Sequence, residues 1–216
     1  MLHSVLFLIS IAVLERVVFE FVLKKRFKFS FVGTPVRTAL YFLIVTTVLV
    51  VLFPKETQEL FAFSPVGVGF LFITGTWWIP HIYRETRGRY GKPIPILPLH
   101  KDLELLRIDE WFILPKATDV LFQQTAIALV ITLVAPSVPV GALILVFALL
   151  FLLFHLGLVL KMSLSWALYF ALSAGIGGML IPVFVLYVPG GIYYLITFHL
   201  LWYTFSGSWY WKKRAK

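Results

Sequence analysis

Long apolar runs alternate with short charged or Pro/Gly breaks along almost the whole chain. "ALYFLIVTTVLVVLF", "VGALILVFALLFLLF" and "FVLYVPGGIYYLITF" typify the pattern. A hydrocarbon core about 30 Å thick is crossed by about 20 mostly apolar residues in a helix. Segmenting at the breaks predicts seven spans, over residues 2–23, 38–53, 60–83, 111–134, 140–160, 164–187 and 192–211. The expected fold class is therefore all-α, a polytopic transmembrane helix bundle with one membrane domain over residues 1–216. The longest break, between the third and fourth spans, opens with the Pro-punctuated "GKPIPILPLH" and continues as "KDLELLRIDEW". Leu103, Leu106 and Glu110 would share one face of an interfacial helix there, with a solvated connector as the alternative.

Composition sharpens the class. Hydrophobic residues make up 60% of the chain and charged ones 13%, about half the charged share of a soluble domain, which is roughly 25%. A net charge of +9 would suggest nucleic acid in a soluble protein. Here the basic residues sit at the ends of apolar runs, where they act as topology signals, so no nucleic-acid partner is expected. With no cysteine, disulfides, thiolate metal sites, haem attachment and a cysteine nucleophile are all excluded. The N-terminal run has neither a basic start nor a small-residue cleavage site, and it carries Glu15, Arg16 and Glu20. It reads as a retained first span that "KKRFK" stops.

All 19 basic residues except Arg16, Lys55 and Lys116 fall on one side of the alternating spans. Cytoplasmic loops carry the Lys/Arg excess, which places the N-terminus outside, the C-terminus in the cytoplasm and the chain in a plasma membrane as a multi-pass protein. "GTWWIPHIY" and "GSWYWKK" put aromatic rings at the same inner edge.

Ionisable groups inside spans are costly and tend to mark function. The first span carries Glu15, Arg16 and Glu20, and the two glutamates read as partners of the basic flank. The fourth carries Lys116, Asp119, Gln123 and Gln124, the fifth His155, and the seventh His199 with Tyr203 one turn on. At 1.5 Å per residue Asp119 lies roughly 12 Å and His155 roughly 8 Å from the inner edge. His199 lies near the midplane, with Tyr203 deeper toward the cytoplasm. A shared polar pocket opening inward is the simplest arrangement. A carboxylate and a histidine together activate a water, and a second histidine with a phenol or amide donor stabilises the resulting oxyanion. Two histidines and one carboxylate, His155, His199 and Asp119, would equally make three ligands of an open zinc site. Interhelical hydrogen bonding is the purely structural alternative for each residue.

"FLLFH" (Phe151, His155) and "HLLWY" (His199, Tyr203) resemble two signatures of the CAAX protease and bacteriocin-processing (CPBP, or Abi) family, F-x-x-x-H and H-x-x-x-N, with Tyr203 at the place of the usual Asn. Between them "ALSAGIGGML" looks like the family's Gly-rich helix. The family's first signature, E-E-x-x-x-R, falls on "KATDVLFQQ" in one of two registers. Thr118 and Asp119 stand at the glutamate pair with Gln123 at the arginine, or Asp119 stands at the first glutamate with Gln124 at the arginine. The resemblance implies a four-span CPBP-like core over residues 111–216, preceded by three accessory spans and a cytoplasmic connector over 1–110. It also implies an intramembrane endopeptidase acting from the cytoplasmic side on a peptide or lipidated C-terminus. Asp119 (or Thr118) and Gln123 would stand at the first motif, His155 would orient water, and His199 with Tyr203 would take the oxyanion role. No cofactor is required by that scheme. Two other expectations stand beside it: a catalytically degraded member acting as a membrane binding or scaffold protein, and a small proton-coupled transporter.

Overall fold

The computed structural model describes residues 2–31, 33–91, 113–160 and 163–214. The interfacial helix expected around Leu103 to Glu110 lies outside them. Among the described residues the chain is helical and free of strands.

Helix α1 (Leu2–Val17) passes through a π-helical segment (Val18–Leu23) into the short α2 (Lys24–Phe27). Lys28 stops it in the left-handed region, with φ of 57°. Helices α3 (Pro35–Leu52), α4 (Pro54–Leu60) and α5 (Pro65–Ile73) each begin with proline at the first turn, where a missing N–H costs nothing. The third expected span, drawn from Leu60, starts as a helix at Pro65 and runs on past Tyr83. Ser64 caps α5 by accepting from the Gly67 N–H at 3.2 Å, and the chain bends by 78° between α4 and the helix running from Pro65. Cap and proline together set the start of the helix about one turn after the start of the apolar run. From α5 a π-helical turn (Thr74–Trp78) leads into α6 (Ile79–Tyr90). Then come α7 (Ile113–Val134), α8 (Val140–Leu156), α9 (Leu164–Tyr187) and α10 (Gly191–Arg214), with 3₁₀ turns ending α7 and α8.

Among the described residues four helical stretches are long and apolar enough to cross a membrane: Pro35–Leu52, Ile113–Ser137, Val140–Leu160 and Leu164–Tyr187. The bent pair Pro54–Leu60 and Pro65–Tyr90 makes a fifth if it counts as one span. Among the described residues length and apolarity thus support four to five spans and do not confirm the expected seven. The N-terminal α-helix has only 16 residues before its π-helical segment, and α10 is diluted by Ser, Gly, Tyr and Trp. Leu145, Val146, Leu149, Leu150, Leu153 and Phe154 stand exposed on α8, and Leu40, Leu43, Ile44 and Val51 on α3. Such faces suit hydrocarbon rather than water.

Helix α7 is the hub, packed against α1, α3, α4, α9 and α10. The main core joins Val120, Phe122, Ala128 and Leu129 of α7 to Leu8, Phe19, Phe42, Leu49, Ile192, Ile196 and Leu200. Helix α8 hangs mainly on α9, and the contact is made by small residues. A Cβ at Gly178 would lie 2.5 Å from the Phe147 carbonyl oxygen, and one at Gly175 3.3 Å from Leu152 Cβ. Backbones approach this closely only where side chains are absent, a frequent solution in membranes, where lipid removes the hydrophobic drive between helices. Where α9 turns into α10, Gly190 takes a φ of +66°.

A buried polar centre on α7

Residues 116, 119, 120 and 123 share one face of α7 by helical spacing, and three of them are polar. Lys116 is 1% exposed and Asp119 2%. The Lys116 ammonium donates to Asp119 Oδ2 at 2.6 Å, and the Gln123 amide donates to Asp119 Oδ1 at 2.7 Å. Both carboxylate oxygens are therefore engaged from within their own helix. The Lys116 ammonium also lies 4.0 Å from the centroid of the Tyr203 ring and 5.7 Å from that of Phe31. It is thus caged by one carboxylate and two π faces.

On α10 the His199 and Tyr203 rings stack at 5.0 Å and 14°, as i and i+4 side chains on one helical face can. His199 Nδ1 accepts from the Gln124 amide at 2.8 Å, so the remaining ring proton sits on Nε2. Lys116 facing Tyr203 and Gln124 facing His199 set α7 and α10 antiparallel, with matched depth. Gln124 is 3% exposed, and its Oε1 has no hydrogen-bond partner.

The sequence-predicted residues divide into two groups. Asp119, Gln123, His199 and Tyr203 gather around Lys116 and Gln124. Thr118 turns away, its hydroxyl donating to the carbonyls of Pro115 at 3.0 Å and Leu114 at 3.3 Å. His155, half-buried on α8, donates from Nδ1 to the Phe151 carbonyl at 2.8 Å, and its ring stacks on Phe151. The F-x-x-x-H spacing thus acts as an intrahelical bond from position i to i−4. His155 lies within electrostatic range of Lys116 and His199 and leaves its Nε2 free. Among the described residues no three His, Asp or Glu side chains come together as a metal site, so Asp119, His155 and His199 do not form one.

Two residues at this centre carry more than the sequence reading assigns them. Lys116 was seen only as a charge within a span, although its three-residue spacing from Asp119 is the signal for an intrahelical pair. Glu15 was assigned to the basic flank, and that assignment is corrected. Glu20 does serve the flank, bonding Arg16 at 3.4 Å and Lys24 at 3.1 Å. Glu15, five residues earlier, points to a different face. It is 7% exposed, lies within electrostatic range of Asp119, and keeps Oε1 without a partner. Two hollows on the molecule lie elsewhere: one along Thr46, Val50, Thr57, Gln58 and Leu121, the other around Glu59, Phe63, Thr132 and Tyr187.

Compared with known proteins, the chain matches no family model, no curated protein and no solved structure.

Proposed function

We propose that this protein is a membrane-embedded binding or scaffold protein built on a CPBP-like helical core. In this reading it holds a peptide or lipidated C-terminus from the cytoplasmic side without cleaving it. The observation that carries the reading is the double engagement of Asp119 by Lys116 and Gln123. A general base needs a free lone pair within hydrogen-bond reach of its water. Asp119 already gives one lone pair of each oxygen to a partner, an ammonium 2.6 Å away and an amide 2.7 Å away, and the adjoining positive charge weakens it as a base. Thr118, bonded to backbone carbonyls, supplies no carboxylate. The full arrangement has seven spans, an external N-terminus and a cytoplasmic C-terminus, as the Lys/Arg distribution supports.

A peptidase is the second reading, favoured by the facing of Lys116 and Gln124, on the helix of Asp119, by Tyr203 and His199 of α10. A transporter is the least supported. Toward the opposite face the space between α7 and α10 is filled by Ala128, Leu129, Ile192 and Ile196, all buried and apolar.

Reconstituted protein offered membrane-tethered reporter peptides, with and without a lipidated C-terminus, tests the choice. No cleavage is expected beyond that of an H155A/H199A double variant. Turnover that the double variant loses, while remaining folded, overturns the binding reading in favour of the peptidase. Reporter fusions at the two termini check the orientation.

A further inference from the structure

A fixed corner joins the first helical stretch to α3, and it concentrates positive charge. Helix α2 ends at Phe27, Lys28 takes the left-handed region, and the Phe29 N–H returns to the Leu23 carbonyl at 3.0 Å, a Schellman-type closure. Ser30 then ties the corner to α3. Its N–H donates to Thr34 Oγ1 at 3.0 Å, its Oγ accepts from the Gly33 N–H at 2.6 Å, and its carbonyl accepts from the Thr38 hydroxyl at 3.0 Å. These bonds hold Lys28, two residues from Ser30, beside the first turn of α3, where Arg37 stands. Lys25, Arg26, Lys28 and Arg37 are exposed, and among the described residues none of the four forms a salt bridge. The nearest carboxylate along the chain, Glu20, is spent on Arg16 at 3.4 Å and Lys24 at 3.1 Å. No side chain caps α3, so its N-terminal partial positive charge adds to the four side chains. On α6, by contrast, Arg89 is paired with Glu85 at 3.1 Å.

Aromatic rings are interleaved with these charges. The Lys25 ammonium lies 4.6 Å from the centroid of the Phe21 ring and the Arg26 guanidinium 5.9 Å from that of Phe27, and both rings are more than half exposed. The apolar face that leads to the corner, with Leu14, Val17 and Phe21 exposed, suits hydrocarbon. We propose that this corner is a binding site for an anionic phospholipid, with Lys25, Arg26, Lys28 and Arg37 serving its headgroup and Phe21 and Phe27 its acyl chains. A cluster of Lys and Arg at the end of a lipid-facing helix gains from each negative headgroup it meets, and arginine adds a fork of donors that matches phosphate. A lipid fits better than a free anion, because exposed apolar rings stand beside the charges. It also fits better than an acidic protein, because the helix leading to the corner presents its apolar face to lipid. The contact pins the corner to one edge of the membrane, and neither the binding nor the peptidase reading bears on it.

Native mass spectrometry of the full chain, delipidated in a neutral detergent, tests it with added phosphatidylglycerol and, separately, phosphatidylcholine. Phosphatidylglycerol should bind more tightly, by on the order of tenfold or more. The variant Lys25→Gln/Arg26→Gln/Lys28→Gln/Arg37→Gln should lose that preference. The control Lys55→Gln/Arg84→Gln/Arg89→Gln/Lys212→Gln removes as many charges from other exposed positions and should keep it. Equal binding of the two lipids by the native protein overturns the proposal without needing a variant to fold. A preference retained in the folded first variant overturns it, as does an equal loss in both variants, since net charge alone would then suffice. Displacement of the lipid by the same concentration of glycerol phosphate would assign the corner to a soluble anion, and displacement by an acidic peptide would assign it to a protein partner; either result overturns the lipid assignment.

Discussion

Breaking the Lys116–Asp119 pair in half should destabilise the protein far more than removing it whole. The pair is 2.6 Å long, and its side chains are 1% and 3% exposed. At that distance and an effective dielectric of about 20, the attraction is about 6 kcal/mol. Taking two ions out of water costs several kcal/mol each, so the intact pair nearly cancels its own burial. Lys116→Met leaves Asp119 with only the Gln123 amide, and Asp119→Leu leaves the ammonium with only the rings of Tyr203 and Phe31. Each single variant should lose about 3–5 kcal/mol, whereas the double variant Lys116→Met/Asp119→Leu should fall within about 1–2 kcal/mol of the native protein. The coupling energy is then several kcal/mol, outside the range of additive sites. Thermal unfolding in a single detergent, followed by tryptophan fluorescence, reads this as single-variant midpoints lower by on the order of 10 °C and a double variant near the native midpoint. A double variant whose loss equals the sum of the singles would refute the reasoning, since it would mean that the two charges do not depend on each other.

Three further outcomes follow from local geometry. Gly178→Ala should cost about 1–3 kcal/mol by driving a methyl group against the Phe147 carbonyl, whereas Gly177→Ala, with open space around it, should be neutral or slightly stabilising; equal effects in the same unfolding assay would dismiss close α8–α9 packing. Gln124→Leu should cost about 1–3 kcal/mol by leaving His199 Nδ1 buried without its donor, and the His199 ring ¹⁵N shifts should report the lost bond, with unchanged shifts contradicting it. Gly190→Ala forces a side chain into the left-handed region and onto Ser64; its loss of about 1–2 kcal/mol or more should exceed that of Gly69→Ala, where space is open.

Much of the architecture was legible in the chain. Residues 140–160 and 164–187 follow from hydropathy and the charged or Pro/Gly breaks, and the helices there keep those limits, because in hydrocarbon a helix satisfies every backbone group of a continuous apolar run. The start of the third span, at Pro65 rather than Leu60, was not visible to hydropathy, which does not weigh a Ser64 cap and a Pro65 first turn against the apolar residues around them. Placing Asp119 with His199 and Tyr203 at matched depth required only counting along antiparallel helices.

The partners at the polar centre had to come from the tertiary structure. The spacing from Lys116 to Asp119 permits an intrahelical pair, but only burial by α10 and α1 makes the pair the dominant fact about the aspartate. Glu15 lies about one hundred residues from Asp119 and looks, by its neighbours, like part of a basic flank; rotation of α1 against α7 turns it inward. His155 shows the opposite case, since its spacing from Phe151 is spent on a bond within α8. The sequence by itself determined a helical protein with apolar runs long enough to cross a membrane and the positions of the polar groups along each helix, because hydropathy and helical rise are local properties. Only the tertiary structure decided which of those groups face one another, because that depends on how each helix is rotated about its own axis, and nearly uniform apolarity leaves that rotation unspecified.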